Sequence, residues 1–328
     1  MSSPPAVTVI LPTYDRLEYL QAAVASVLAQ TFTDWELVIA DDGSGTGTQA
    51  YLSSLERTAG VRILRLAHSG NPGAVRNQAL RVARGNYIAF IDSDDLWMPA
   101  KLETQVDALR RTSSCRWSYT ALIRIDADGQ ELPTERVRYR PIESGAIFER
   151  LLTLEIAVAT PSVLAERGFI EELGGFDEGQ LYFEDYDLWL RMSVRSHALA
   201  IAEPLVCVRN HAEHYSANRV GVYESRFRLI EKMAGIASTQ RQRTILREER
   251  AKTALSLARV HAGGGRGSKA LGMLWRSRQR ALQPKWWPQA CGIAARALAP
   301  AWLATIVRRR RAGRKNPAAT GQPAGRSD

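Results

Sequence analysis

Asp92, Asp94 and Asp95 put three carboxylates within four positions, directly after the apolar run Tyr87–Ile91. Like charges this close repel, so the cluster needs either a neutralising cation or a well-solvated turn. Carboxylate oxygens are hard ligands suited to Mg²⁺ or Mn²⁺. An Asp-Ser-Asp triplet in an irregular turn can aim both carboxylates to one side, where a divalent ion would bridge them to the oxygens of a substrate diphosphate. The competing explanation is a solvated turn, with an Asp capping the helix that Pro99 enters. Two more acidic pairs stand at element ends. Asp41-Asp42 closes the apolar run Glu36–Ala40, and Glu184-Asp185 opens the segment EDYDLWLRMSV.

The elements around these acids follow one pattern. Val7–Tyr14, Glu36–Ala40 and Asn86–Ile91 are short apolar runs, and Val61–Leu66 alternates like a strand. Between them, Leu17–Gln30, Thr48–Arg57 and Gly73–Ala83 carry helical spacing, and Pro99–Arg111 has Pro in its first turn. Strands alternating with helices predict an α/β fold: a largely parallel sheet covered by helices on both faces. In such sheets ligands bind at the carboxyl ends of the strands, which is where Thr13-Tyr14, Asp41 and Asp92 fall. Beyond Arg111 the pattern loosens. A strand is predicted over Cys115–Ile125, a hairpin turn over 126–129, a short helix over Ile147–Leu154, a helix over Glu184–Val194 and a last strand over Leu199–Val208.

Composition divides the chain. Of its 328 residues, 45% are hydrophobic and 24% charged, as in a globular protein. Residues 219–328 hold 24 Lys and Arg against 5 Asp and Glu, whereas residues 1–218 hold 20 against 29. A boundary near 218 is therefore expected, with different partners for the two parts. Met1–Pro5 is a short polar stretch without the features of a secretory leader, and Cys115, Cys207 and Cys291 lack metal-type spacing. Reduced thiols in a cytoplasmic protein are the expectation.

Five stretches, in order, resemble the family 2 glycosyltransferases. They are VTVILPTYDR (7–16), WELVIADDGS (35–44), GNPGAVRNQAL (70–80), GNYIAFIDSDDLWMP (85–99) and FEDYDLWLRM (183–192). The resemblance implies the GT-A fold, a Rossmann-like and mostly parallel sheet flanked by helices, over residues 1–218. Its nucleotide-sugar half would take about 1–111 and its acceptor half about 112–218. A basic helical region over 219–312 and a disordered tail over 313–328 complete the expected organisation.

By resemblance, Pro12, Thr13 and Tyr14 line the base and ribose pocket. A carboxylate of Asp41 or Asp42 would hydrogen-bond a uracil-type base; Asp41 is favoured because it follows the strand directly, and the alternative for both is turn chemistry with Gly43. Arg76 would sit near the nucleotide or diphosphate, unless it is a helix-surface arginine. Asp94 is the implied metal ligand, Asp92 its partner reaching the ribose, and Ser93 between them belongs to the donor site. Asp95 is expected to cap the helix at Pro99, and Trp97 to lie in the core rather than act as a lid. Asp185 is the implied catalytic base with Glu184 beside it; the alternative is an ordinary charge at a helix start. His211 is the candidate to complete the metal site, with a solvated loop histidine as the favoured alternative.

One base and one divalent metal (Mn²⁺ or Mg²⁺) imply a single in-line displacement with inversion. The expected activity is a metal-dependent hexosyltransferase that moves a sugar from a nucleotide sugar, a UDP-sugar, to a glycan or lipid-linked acceptor in cell-surface polysaccharide or lipopolysaccharide assembly. Loops 134–144 and 178–182 would set its specificity. No Gln-x-x-Arg-Trp motif or series of apolar spans occurs, which favours single-sugar addition. A nucleotidyltransferase would need a Gly-rich loop with Arg and Lys where LPTYDRLEYL stands. A catalytically inactive nucleotide-binding scaffold at the membrane is the other rival, opposed by the intact Asp92, Asp94 and Asp185.

The C-terminal region mixes arginines with Leu271, Leu274, Trp275, Trp286, Trp287 and Trp302. Gln289–Val307 is apolar, but Arg296 and Pro300 make it a marginal span; Arg308–Arg311 follows. Two expectations stand side by side: peripheral contact with an anionic membrane on the cytoplasmic face, or a basic helical cap that packs on the catalytic domain or self-associates. No zinc, helix-turn-helix or aromatic RNA-reading motif supports a nucleic-acid partner.

Overall fold

A computed structural model describes residues 3–133, 141–210, 218–280 and 283–298. They divide into two compact units, one reaching Ile245 and one starting at Leu246. The first unit is built on an eight-stranded sheet of order β3-β2-β1-β4-β7-β6-β8-β5. Its strands are β1 (Val7–Thr13), β2 (Trp35–Asp41), β3 (Val61–Arg65), β4 (Tyr87–Phe90), β5 (Leu96–Trp97), β6 (Cys115–Ile125), β7 (Val163–Glu166) and β8 (His197–Arg209). Its helices are α1 (Leu17–Leu28), α2 (Thr46–Leu55), α3 (Pro72–Val82), α4 (Lys101–Arg111), α5 (Phe148–Leu152), α6 (Arg167–Glu172), α7 (Glu184–Arg195) and α8 (Arg219–Ala234).

β1 pairs in parallel with β2 and β4, and β2 with β3. β1, β2 and β4 are buried on both faces, which is why they stand in the sequence as nearly unbroken apolar runs, whereas the partly exposed edge strand β3 alternates. The half beyond β4 is mixed. β7 runs antiparallel to β4 and β6, β5 antiparallel to β8, while β6 and β8 are parallel with register shifts near Thr120–Leu122. β5 and β7 have no counterpart in the sequence reading. At two and four residues they are too short to carry a period, and only pairing with distant strands defines them.

Two local devices set the strand ends against one another. Arg84 N–H and Nε–H donate to Glu36 at 2.8 Å each, and Thr8 Oγ1–H donates to the same carboxylate at 2.7 Å. Gly85 lets this corner close: a Cβ there would stand 2.3 Å from Thr8 N. Beyond β6, the turn expected over 126–129 forms, with Asp126 Oδ1 accepting from Asp128 N at 3.0 Å and Gln130 N at 2.9 Å.

The first unit continues past the change of charge near 218. α8 buries Phe227, Leu229, Ile230 and Met233. Lys232 pairs with Asp177 at 2.6 Å and Asp187 at 2.7 Å, and Gln180 Nε2 donates to Ser225 O at 2.7 Å.

α9 (Gln240–Gly263) leads into the second unit, followed by α10 (Gly267–Arg276) and α11 (Trp286–Leu298). The glycine-rich stretch 263–267 separates α9 from α10, with Gly265 at φ +75°. The unit's small core joins Leu255, Ala258, Ala262, Ala270 and Ile293. Among the described residues no helix is long and apolar enough to cross a membrane. His211, Trp302, Arg308–Arg311, the tail over 313–328 and residues 134–140 of the first expected specificity loop lie outside the described residues.

Candidate active site

The carboxyl ends of β1, β2 and β4 open into a cleft of about 570 Å³ in the first unit. Pro12, Thr13 and Tyr14 leave β1 along its wall. The chain then turns through Asp15 and Arg16, both at positive φ (52° and 58°), a conformation unfavourable for residues with a Cβ. Asp15 holds the turn by accepting Gly45 N–H at 2.8 Å, while its own N–H donates to Ser44 Oγ at 2.8 Å. The result aims Arg16 across the cleft mouth at Asp94, 2.5 Å away.

The two carboxylates after β2 diverge. Asp41 is fully buried, accepts from Ser44 N at 3.2 Å and from the Gln49 amide, and is not among the residues facing the cleft. Asp42 faces it. Asp42 accepts Ser69 N and Oγ at 2.8 and 2.9 Å and Gly70 N at 2.9 Å, which fixes the loop before α3. The preference for Asp41 as the base-reading carboxylate thus meets a side chain already engaged in its own turn. Gly43, at φ +81°, is the residue that lets the chain double back here. His68 Nδ1 lies 2.8 Å from the Asp42 carbonyl oxygen, which can only accept, so that nitrogen carries the proton. The His68 ring stacks on Tyr14 at 4.1 Å, forming an aromatic platform at the rim.

The acidic cluster after β4 is held by arginines. Arg76 on α3 is buried and donates to Asp92 at 2.6 Å and to Glu184 at 3.0 Å. Burial opposes its charge, but Asp92, Glu184 and Asp185 outweigh that and raise its pKa. Asp95 does not cap α4. That helix starts at Lys101 without a side-chain cap, and Asp95 instead accepts Arg209 N–H at 2.8 Å, joining the acidic turn to β8. Arg209 Nε also donates to Asp94 O at 2.9 Å. Trp97 is core, with its indole N–H on Pro161 O at 2.9 Å.

α7 supplies the remaining acids. Phe183, at φ 62°, turns the chain so that Glu184 and Asp185 start the helix inside the cleft. Asp185 accepts Thr160 Oγ1–H at 3.0 Å and Tyr186 N–H at 2.7 Å. Burial raises the Asp185 pKa; Arg76 and those hydrogen bonds oppose the rise. Burial, together with the Asp185 charge, pushes Glu184 up to about 7, against the pull of Arg76. A carboxylate held above its ordinary range is suited to accept a proton.

The cleft therefore brings together Pro12, Thr13, Tyr14, Asp42, Arg76, Asp92, Ser93, Asp94, Glu184 and Asp185. Sequence reasoning missed Arg16, His68, Thr160 and Arg209 as cleft residues. Their one local signal is the position of Arg16 directly after the β1 exit; the other three come from segments with no chemical pattern of their own.

Among the described residues, no three His, Cys, Asp or Glu side chains converge as a metal cage. Asp92 and Asp94 offer two hard oxygen donors in the cleft. That set suits Mg²⁺ or Mn²⁺, ions that take one or two carboxylates and complete their shell with substrate phosphates and water.

Residues 8–158 match the family model described as Glycosyl transferase family 2. The putative teichuronic acid biosynthesis glycosyltransferase TuaG of Bacillus subtilis is 37% identical over 129 residues, which are 39% of this chain and 51% of TuaG, so the chain spans about half of that relative. The UDP-Glc:alpha-D-GlcNAc-diphosphoundecaprenol beta-1,3-glucosyltransferase WfgD of Escherichia coli is 27% identical over 203 residues, 61% of this chain and 75% of WfgD. Among solved structures, residues 1–349 of S. aureus TarS with UDP superpose with a TM-score of 0.66 at 17% identity, covering 94% of this chain and 91% of that one. The mannosyltransferase PcManGT of Pyrobaculum calidifontis, with GDP-Man and Mn²⁺, gives 0.58 at 18% identity, covering 96% and 82%. At these identities the superpositions establish a shared GT-A-like fold.

Proposed function

We propose that the chain is a family 2 glycosyltransferase, on the match of residues 8–158 to that family's model, and that it transfers a sugar from a UDP-sugar to a glycan or lipid-linked acceptor in cell-surface polysaccharide assembly. The observation that carries the reading is Arg76, a buried cation that joins Asp92 of the acidic turn to Glu184 beside Asp185. One side chain thus ties the donor half of the cleft to the half that holds the base. Its Nε–H is buried without an acceptor among the described residues, which suits a neighbouring diphosphate oxygen. WfgD acts on a lipid-diphosphate acceptor by its name, and TuaG serves teichuronic acid synthesis by its own; both support the setting. A cytoplasmic location follows from the same reading, since nucleotide sugars are made there.

Asp185 takes the proton of the acceptor hydroxyl as that oxygen bonds to the anomeric carbon. The bond from the anomeric carbon to the phosphate oxygen breaks, and its electron pair leaves on the nucleoside diphosphate. Attack from the opposite face inverts the centre. Arg16 and Arg76 flank the position of the diphosphate and stabilise its charge. A divalent ion held by Asp92 and Asp94 would add Lewis-acid stabilisation of the leaving group. Tyr14 and His68 offer the base a stacking surface, and Asp42 is the carboxylate at hand beside it.

Calorimetric titration with UDP, GDP, TDP and CDP, with and without Mn²⁺, tests this reading. Metal-dependent binding of UDP, lost in Asp94→Ala, is expected. No binding of any nucleotide would overturn it.

A further inference from the structure

The second unit carries an exposed corner, basic and aromatic together, for which the transfer reaction has no use. α10 ends there and α11 begins there. The Trp286 indole N–H donates to Ser277 Oγ at 3.0 Å, which holds the start of α11 against the end of α10. Trp275 and Trp287 flank that contact, and they remain 68% and 57% exposed. The Arg278 guanidinium lies over the Trp275 ring at 4.3 Å, and Trp286 and Trp287 meet edge to face at 4.9 Å. Arg276, Arg280 and Lys285 stand in the same connection. From Ala251 to Leu298 the sequence has nine Lys and Arg and no Asp or Glu, so the stretch supplies no carboxylate of its own.

Two exposed indoles cost free energy in water, and clustered cations repel one another. A surface that is apolar beneath and anionic on top relieves both at once. We propose that the α10–α11 corner docks on the surface of a bilayer containing anionic phospholipid. Trp275 and Trp287 sit at headgroup depth, where indoles are favoured, and the flanking arginines and Lys285 meet lipid phosphates. Among the described residues no helix is long and apolar enough to cross the bilayer. Docking is independent of the sugar transfer, and its test needs no turnover: failure of either idea leaves the other standing.

The experiment is co-sedimentation of the full chain with vesicles of phosphatidylcholine alone and with about one third phosphatidylglycerol, at low and high salt. Binding to the anionic vesicles only, weakened by salt, is expected. The pair Trp275→Ala/Trp287→Ala should weaken it roughly tenfold or more, and Arg278→Glu/Lys285→Glu should do likewise. Calorimetric UDP binding by each variant confirms that it is folded. Undiminished vesicle binding by folded variants would overturn the assignment. So would absence of binding to anionic vesicles alongside tight binding of a single-stranded RNA, or self-association in sedimentation velocity that the tryptophan pair abolishes.

Discussion

Asp185, the base proposed for the transfer, owes its proton affinity to its surroundings. Burial raises its pKa, and the Thr160 hydroxyl at 3.0 Å favours the charged form and limits the rise. The base form therefore appears only above a raised pKa, so transfer should fall off on the acid side at a higher pH than an ordinary carboxylate would give. Asp185→Asn is expected to lower kcat by about a hundredfold or more, measured as sugar transfer under saturating donor. Thr160→Val removes the hydrogen bond, so the acid limb of the pH–rate profile should move to still higher pH, and Thr160→Ser should bring it back. An acid limb that stays in place in Thr160→Val would show that Thr160 has no hold on the base.

At the level of elements, a close junction joins β1, β2 and the loop entering β4. Burial of Glu36 raises its pKa, but the hydrogen bonds from Thr8 and Arg84 outweigh this and leave it below the ordinary 4.5. A carboxyl depressed by folding contributes stability that is present above its unfolded pKa and lost as pH falls through the folded value. Glu36→Gln should therefore lose about 1–3 kcal/mol at neutral pH, with the gap to the parent closing in acid, as read by urea unfolding at both pH values. Gly85→Ala pushes a methyl to within 2.3 Å of Thr8 N and should cost about 1–3 kcal/mol or more in the same assay. Both changes act behind the cleft, at the opposite end of the strands from the acids.

On the scale of the whole molecule, the two compact units divide the work. Every residue facing the cleft lies at or before Val222, inside the unit that reaches Ile245. The basic aromatic corner lies wholly in the unit that follows. A chain ended at Gly263, which keeps α9 whole, should bind UDP as the full chain does and lose its hold on anionic vesicles. Calorimetry and co-sedimentation on the same preparation read both. Loss of nucleotide binding would mean that the donor site needs more than the first unit.

The chain's local chemistry was enough to locate β1, β2, β4 and the acids at their ends. Strands buried on both faces are largely apolar, and the carboxylates that close β2 and β4 stand where those strands meet the cleft; Glu36, at the other end of β2, is buried only because Thr8 and Arg84 satisfy it. The same reasoning found α1 to α4, whose apolar spacing reflects one buried face, but not the six-residue α6. It could not find β5 or β7, which exist only through their partners. It favoured Asp41 over Asp42, but adjacent side chains leave a turn in different directions, and of the two only Asp42 faces the cleft. The partners of the acids were equally out of reach. Arg16 meets Asp94 across 78 positions, Arg209 meets Asp95 across 114, and Thr160 meets Asp185 across 25. A carboxylate accepts from any donor that comes near, so its partner is set by where the crossovers bring the strand ends together, and that is a property of the sheet order rather than of any local run of residues.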